Sequence, residues 1–381
     1  MVDLILGARE LLDGGQIEDA YNLLDPHLNK NLENISFLQI FAETLLENDD
    51  IEKAFEVLNQ ACALDPDANF GTDKFFNLGQ MVGGREGLCY LDRGLYKLNS
   101  QLEKLHNSPQ DLKQNLIETN MLHNSKEELQ RFFTKKLNQG IFAKIEIWMT
   151  DLCMEEEAEN QCEQLINYSL GYDGENPEAL SLLASIRISQ LRIEEAVSAL
   201  TKSWSLYQER QAQLEANQSR HQDMGFEYAE LVQPLLNISR LAIELELYDI
   251  AIAAASTVQD LNEDILEPHY YEALSYILLA KKAFQKIQDN GNDYRVLELQ
   301  EFKNCENSEI KVLLDDAKSS LTQAYKIIQS EISDADEELV EQVVSLLDEL
   351  GGPLISELMP PKKADAELEG WEDEIESDKD S

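Results

Sequence analysis

The chain has 381 residues, 74 acidic against 31 basic, for a formal net charge of −43. A hydrophobic content of 43% is enough for a real core and excludes wholesale disorder. Phosphate binding relies on Lys and Arg releasing counterions, so this balance argues against direct nucleic-acid partners and against an anionic membrane surface. A strongly negative surface steers cations in, and a basic partner is what remains.

The first residues, MVDLILGARE, hold neither a basic region nor a long apolar stretch, so no signal peptide is expected. The most apolar stretches, 250–258 and 277–280, fall short of the roughly 20 residues a membrane span needs. The five cysteines, Cys62, Cys89, Cys153, Cys162 and Cys305, are odd in number and form no CxxC pair. They are expected to be reduced and mostly buried. The expected location is the cytoplasm and nucleus.

In chain order, the predicted elements are helix pairs. Ala8 and Ala20 stand 12 residues apart, and Ala42 and Ala54 repeat that spacing after an offset of 34. Ala184 and Ala196 repeat it again, and Ser239 and Ala251 form a fourth copy. Ile17, Ile51 and Ile193 precede the second alanine by three residues, and Leu24, Leu58 and Leu200 follow it by four. A small residue on each of two consecutive helices lets them approach closely, while Leu and Ile supply the buried stripe. A helix-turn-helix period of 34 residues with small residues at these places is the tetratricopeptide signature.

The fold class expected is therefore all-α, a tetratricopeptide-repeat superhelical solenoid over residues 1–358. Clear repeats lie near 2–33, 36–67, 141–172, 177–208 and 233–264, the 141–172 copy being weaker because Glu146 replaces the small partner of Ala158. Residues 70–98 form a degenerate copy with LGQMVGGREGL as its turn. Residues 99–138 read as polar helix broken near Pro109, and 208–222 as a solvated helix. An insertion at about 281–307 precedes a last amphipathic pair at 308–350, which Gly351-Gly352-Pro353 stops. Residues 359–381 are expected to be a disordered acidic tail; 364–381 alone hold nine acids, one lysine and the single aromatic Trp371.

No catalytic set emerges. Gly79 to Glu86 has the glycine spacing of a phosphate loop, but Arg85 and Glu86 stand where lysine and a hydroxyl residue are needed, and no strand precedes it. The five histidines are scattered, and Cys153 and Cys162 read as core thiols, so no metal and no cofactor are expected. With so many carboxylates, the proximity of two is no sign of acid-base catalysis, and the chain is expected not to be an enzyme.

Binding has more support. The first helix of each pair lines the groove of such a stack. The repeat phase puts Arg9, Gln39, Glu43, Glu47, Ser181, Ser185, Arg240 and Glu244 there, with Asp13, Glu146, Asp151, Glu227 and Glu230 nearby. Trp148, Trp204, Tyr270, Tyr271 and Tyr276 are either groove anchors or core. The partner-binding candidates are Glu43, Glu47, Glu146, Asp151, Glu227, Glu230, Glu244 and Tyr276. A clamp for C-terminal carboxylates needs clustered Lys, Arg and Asn, which isolated Arg9 and Arg240 do not supply.

LGQMVGGREGL at 78–88, WMTDLCMEEEAENQCEQLI at 148–166 and NPEALSLLASIRISQLRIEEAVSAL at 176–200 carry a further signal. With GWEDEIESD at 370–378, they resemble the fungal tetratricopeptide-repeat assembly chaperones dedicated to large-subunit ribosomal protein four. The resemblance implies a monomer that captures one newly made, basic ribosomal protein in a 1:1 complex. It implies that the chaperone shields the client's basic internal loop and escorts it to the precursor large subunit. The competing expectation is a tetratricopeptide scaffold subunit of a multiprotein nuclear or cytosolic complex.

Overall fold

The computed structural model describes residues 2–107, 126–217, 224–288, 293–330 and 336–358, with side chains left undescribed at 106–107, 215–217 and 224–230. Pro109 and the acidic tail at 359–381 lie outside the described residues. Every regular element among the described residues is helical. No described helix is long and apolar enough to cross a membrane.

The described residues fall into two compact units, Met1–Phe226 and Glu227–Ser381. In the first, α1 (Val2–Asp13) packs on α2 (Ile17–Leu24), and α3 (Ile35–Glu47) on α4 (Ile51–Leu64). Next, α5 (Asp73–Val82) packs on α6 (Gly84–Asn107), and α7 (Lys126–Met149) on α8 (Ala158–Tyr172). The last pair is α9 (Pro177–Ser189) with α10 (Ile193–Asn217). Asn34 and Asn176 cap α3 and α9 by accepting hydrogen bonds from the Phe37 and Ala179 amides, as an asparagine before a helix should.

The spaced small residues are the crossing points. Ala8, Ala20, Ala42, Ala54, Ala184 and Ala196 are all fully buried, as are Ser239 and Ala251 in the second unit. Between repeats, contacts recur at a separation of 28 residues: Lys53 Nζ to Asp25 at 2.6 Å, Lys97 Nζ to Asn69 at 2.7 Å, and Lys202 Nζ to the Gly174 carbonyl at 3.4 Å. Each pair therefore stacks on its predecessor in a similar way even where the repeat pattern fades.

The degenerate copy shows why it departs from the pattern. Leu91 occupies the place where an alanine stands in the other second helices, and it is fully buried. The facing residue on α5 has shrunk to Gly79, where a Cβ would meet the Leu91 side chain at 2.8 Å and the Gly87 carbonyl at 2.9 Å. A large residue on one helix has been accommodated by removing the side chain of its neighbour. At the next interface the Phe76 ring lies between Gly94 of α6 and Gly140 of α7; a Cβ there would approach it to 2.4 and 2.6 Å.

The loop from α4 to α5 encloses a buried ion pair. Lys74 and Asp65 have side chains 0% and 3% exposed and meet at 2.9 Å. Lys74 also donates to the Gly71 carbonyl at 2.6 Å, and Asp65 accepts from the Asn69 and Phe70 amides at 2.8 and 2.9 Å. Burial pushes the Asp65 carboxyl up, but the Lys74 ammonium and these amides outweigh it and hold it below its ordinary value. Removing either partner would strand a buried charge, at a cost of about 3–5 kcal/mol.

In the second unit, α11 (Met224–Glu244), α12 (Tyr248–Leu261) and α13 (Leu266–Gln288) follow in order. The expected insertion is partly helix, since α13 continues to Gln288. Beyond it, a 3-10 turn (Tyr294–Val296) and α14 (Leu299–Phe302) send Tyr294, Leu299 and Phe302 into the unit's core. Tyr294 and Tyr248 share a hydrogen bond at 2.7 Å. The pair α15 (Ser308–Gln329) and α16 (Glu337–Glu349) completes that core. Gly351 and Gly352, at φ +90° and +77°, turn the chain before the short α17 (Ile355–Leu358).

Two outcomes test this packing. Gly140→Ala should lower stability by about 1–3 kcal/mol through overpacking against Phe76. The control Gly171→Ala, with nothing within 4 Å of its new Cβ, should be neutral or stabilising by up to about 1 kcal/mol. Urea midpoints at constant m-value would read both. The second concerns acid. Hydrogen bonds from Arg187 hold the Glu163 carboxyl down from 4.5 to about 2, against the upward push of burial. A depressed carboxylate stabilises above its unfolded value and loses that contribution as pH falls through the folded one. The midpoint gap between wild type and Glu163→Gln should therefore close as pH drops from about 4.5 towards 2.

Candidate partner-binding face

The period of 34 residues places equivalent side chains of consecutive first helices side by side, and Arg9 and Glu43 are such a pair. The guanidinium of Arg9 on α1 grips the Glu43 carboxylate on α3 through two parallel hydrogen bonds, at 2.5 and 2.7 Å. That contact, with further attraction from Asp13 and Asp73, raises the Arg9 pKa against the opposing effect of burial. Asp73 at the start of α5 is bound in turn by Lys136 of α7 at 2.8 Å, and Lys144 of α7 binds Asp92 of α6 at 2.6 Å. Glu43, Asp73 and Asp92 are thus already paired in ladders running between repeats.

The candidate carboxylates divide accordingly. Glu43 is paired, while Glu47 on α3, Glu146 on α7 and, in the second unit, Glu244 on α11 are exposed and make no ion pair among the described residues. Asp151 has a structural task. Its Oδ2 accepts the Gly84 amide at 2.7 Å, at the N-terminus of α6. Gly83 and Gly84 have φ of +65° and +51°, and a Cβ on Gly83 would strike Asp151 at 2.3 Å. The glycine stretch that has the spacing of a phosphate loop therefore holds the chain's own carboxylate where an anion would sit. Arg85 beside it pairs with Glu155 at 2.9 Å and with Glu157 at 3.5 Å. The side chains of Glu227 and Glu230 lie outside the description.

The aromatic candidates are largely core. Trp148 and Trp204 are 6% and 9% exposed. Tyr270 and Tyr276 are half-buried against the core of the second unit, and Tyr271 is half-buried. Of the remaining groove residues, Ser181 is buried, Ser185 half-buried and Arg240 exposed. Gln39 is half-buried, with an Oε1 that lacks a hydrogen-bond partner.

The sequence reading did not single out one feature. A cleft of about 500 Å³ opens between the first half of α7, the end of α8 and the start of α9, and Asn138 lines it. Asn138 sits beside the unbroken apolar stripe Phe133, Leu137 and Ile141, and its burial leaves no mark in the sequence pattern.

Among the described residues no group of three or more His, Cys, Asp or Glu could hold a metal. Residues 264–376 match the family model of the ACL4 C-terminal domain. Over 250 residues the chain is 34% identical to a probable assembly chaperone of rpl4 from Schizosaccharomyces pombe, covering 65% of each chain. A second, from Emericella nidulans, is 29% identical over 218 residues, 54% of this chain. The chain is similar to the assembly chaperones of rpl4. It spans 65% and 49% of the lengths of these two curated relatives. A solved structure described as residues 1–338 of the assembly chaperone of RpL4, Acl4, superposes with a TM-score of 0.57 at 24% identity. The superposition covers 74% of this chain and 98% of that one, and it shows a common tetratricopeptide-type helical fold.

The role of Asp151 can be separated from any role in binding. Asp151→Ala should lower stability by about 0.5–2 kcal/mol, the worth of a helix cap, while Asp151→Asn keeps an acceptor for Gly84 and should lose less. Urea titration of both variants would show it.

Proposed function

We propose that the chain is a member of the rpl4 assembly-chaperone family and a dedicated chaperone of that ribosomal protein. In this reading it binds the newly made client as a monomer, 1:1, shields its basic internal loop against acidic first-helix surfaces and escorts it to the precursor large subunit. It works in cytoplasm and nucleus, without cofactor, catalysis or direct contact with nucleic acid. The observation that carries the reading is the 34% identity over 250 residues to a relative named for this task. The charge of −43 agrees with it, since carboxylates attract the Arg and Lys of a basic segment and form charge-assisted hydrogen bonds with them.

The paired and open acids carry the reading down to residues. Glu47 and Glu146 are free to meet a client's cations, whereas Glu43 would first have to give up Arg9. The test is a titration of the purified chain with purified rpl4. A 1:1 complex is expected, weakening as salt rises from about 0.15 to about 0.5 M. The double variant Glu47→Lys/Glu146→Lys should bind about tenfold or more weakly, and Glu43→Gln should change little. Absence of any complex with rpl4, or a complex indifferent to salt, would overturn the reading.

A further inference from the structure

The cleft beside Asn138 holds a buried amide only half satisfied. Asn138 is 2% exposed, and its Oδ1 accepts the Ser169 hydroxyl at 2.9 Å. Its Nδ2 has no hydrogen-bond partner. A buried donor left unpaired costs about 1–3 kcal/mol, so a leucine here, with Ser169 changed to alanine so that no hydroxyl is stranded, would fold more stably. Folding uses the Oδ1, which serves the buried Ser169 hydroxyl, and leaves the Nδ2 unused; a ligand that supplies an oxygen would pair it.

The walls restrict what that ligand is. Tyr172 at the end of α8 is 47% exposed and lines the cleft. Its ring is held edge-on to Tyr168 at 5.2 Å, and Tyr168 is anchored by donating to Asn99 at 2.6 Å. The half-buried Phe142 adds a second aromatic ring to the lining. Three carboxylates, Glu127, Asp173 and Glu178, share the lining with two cations, Arg131 and Lys135. Asn176 is already occupied by the α9 cap and by Asp173; the exposed amides of Gln130 and Gln139 can turn to water, and the Asn138 Nδ2 is the buried amide left without a partner.

We propose that this cleft seats an extended polypeptide segment: Asn138 Nδ2 donates to one of its main-chain carbonyls, and a neighbouring Arg or Lys lies against the Tyr172 ring and the carboxylate side of the lining. An extended chain presents an unpaired carbonyl at regular intervals, which is what a single fixed donor at the bottom of a cleft can read. An aromatic face beside carboxylates suits a cation that carries its own apolar stem. The two lining cations disfavour an unbroken run of basic residues and favour Arg or Lys spaced by neutral ones. The inference rests on the proposed function only in taking the segment from a basic partner.

The double variant Asn138→Leu/Ser169→Ala, which removes both partners of the buried hydrogen bond, separates a binding role from a structural one. It should leave the melting temperature unchanged or raise it, while weakening peptide binding by about three- to tenfold, the worth of one hydrogen bond. The ligands are three fluorescent 12-residue peptides with every third residue Arg, Ser or Glu, titrated against the full chain by anisotropy. The Arg peptide should bind best, and Tyr172→Ala should reduce its advantage over the Ser peptide. A lower melting temperature with unchanged affinity would make Asn138 purely structural and overturn the proposal. So would equal affinity for the Arg and Glu peptides, or no binding of the Arg peptide to wild type. The same variant titrated with rpl4 keeps the two readings apart. If wild type and Asn138→Leu/Ser169→Ala bind rpl4 equally, the cleft is excluded and the chaperone reading stands; if wild type binds the Arg peptide but not rpl4, the reverse holds.

Discussion

Two helices joined by a turn of a few residues bury a continuous apolar stripe only if their backbones come close, and the side chains at the crossing decide whether they can. In this chain the crossings are made by fully buried alanines at Ala8, Ala20, Ala42, Ala54, Ala184 and Ala196. The stacking of pair on pair depends on them, because the ladders between repeats form only when successive first helices lie in register. The α5–α6 pair obeys the same constraint by another route. Leu91 takes the small position, and Gly79 opposite it gives up its side chain. What is conserved between the copies is the distance of approach, and the residue that supplies it varies.

Register also governs the electrostatics. A chain carrying −43 invites the picture of a uniformly acidic face, yet several of its cations sit on acids of neighbouring helices. Arg9 on Glu43, Lys136 on Asp73, Lys144 on Asp92 and Arg187 on Glu163 each join two helices. These pairs are mostly part-exposed, and each contributes little to stability. Their larger effect is on where negative charge remains available. Glu47, Glu146 and Glu244 stay open, while Glu43 and Asp151 are committed to the protein itself.

Tetratricopeptide-type stacks act through surfaces, and the polar residues that folding does not use are the informative ones. Lys74 and Asp65 are buried but satisfy each other and the loop around them, so they account for themselves. The Asn138 Nδ2 does not, and Asn138 lines a cleft together with Tyr172 and Phe142. Similarity to the rpl4 assembly chaperones is the ground for the proposed partner, and the cleft for the proposed way of holding it.

The helix pairs were legible in the sequence because a small residue every 12 positions within a repeat, and every 34 between repeats, leaves a periodic trace. So was the acidity. Pairings between distant residues leave no such trace. That Arg9 meets Glu43 follows from the offset of 34 only once first helices are known to stack in register, and that Asp151 caps α6 follows from no period at all. The buried Lys74–Asp65 pair, the seat of Phe76 between two glycines and the open amide of Asn138 were likewise decided by tertiary structure. Composition and periodicity specify which faces are apolar or charged; which particular groups satisfy one another depends on distances that only the packed helices set.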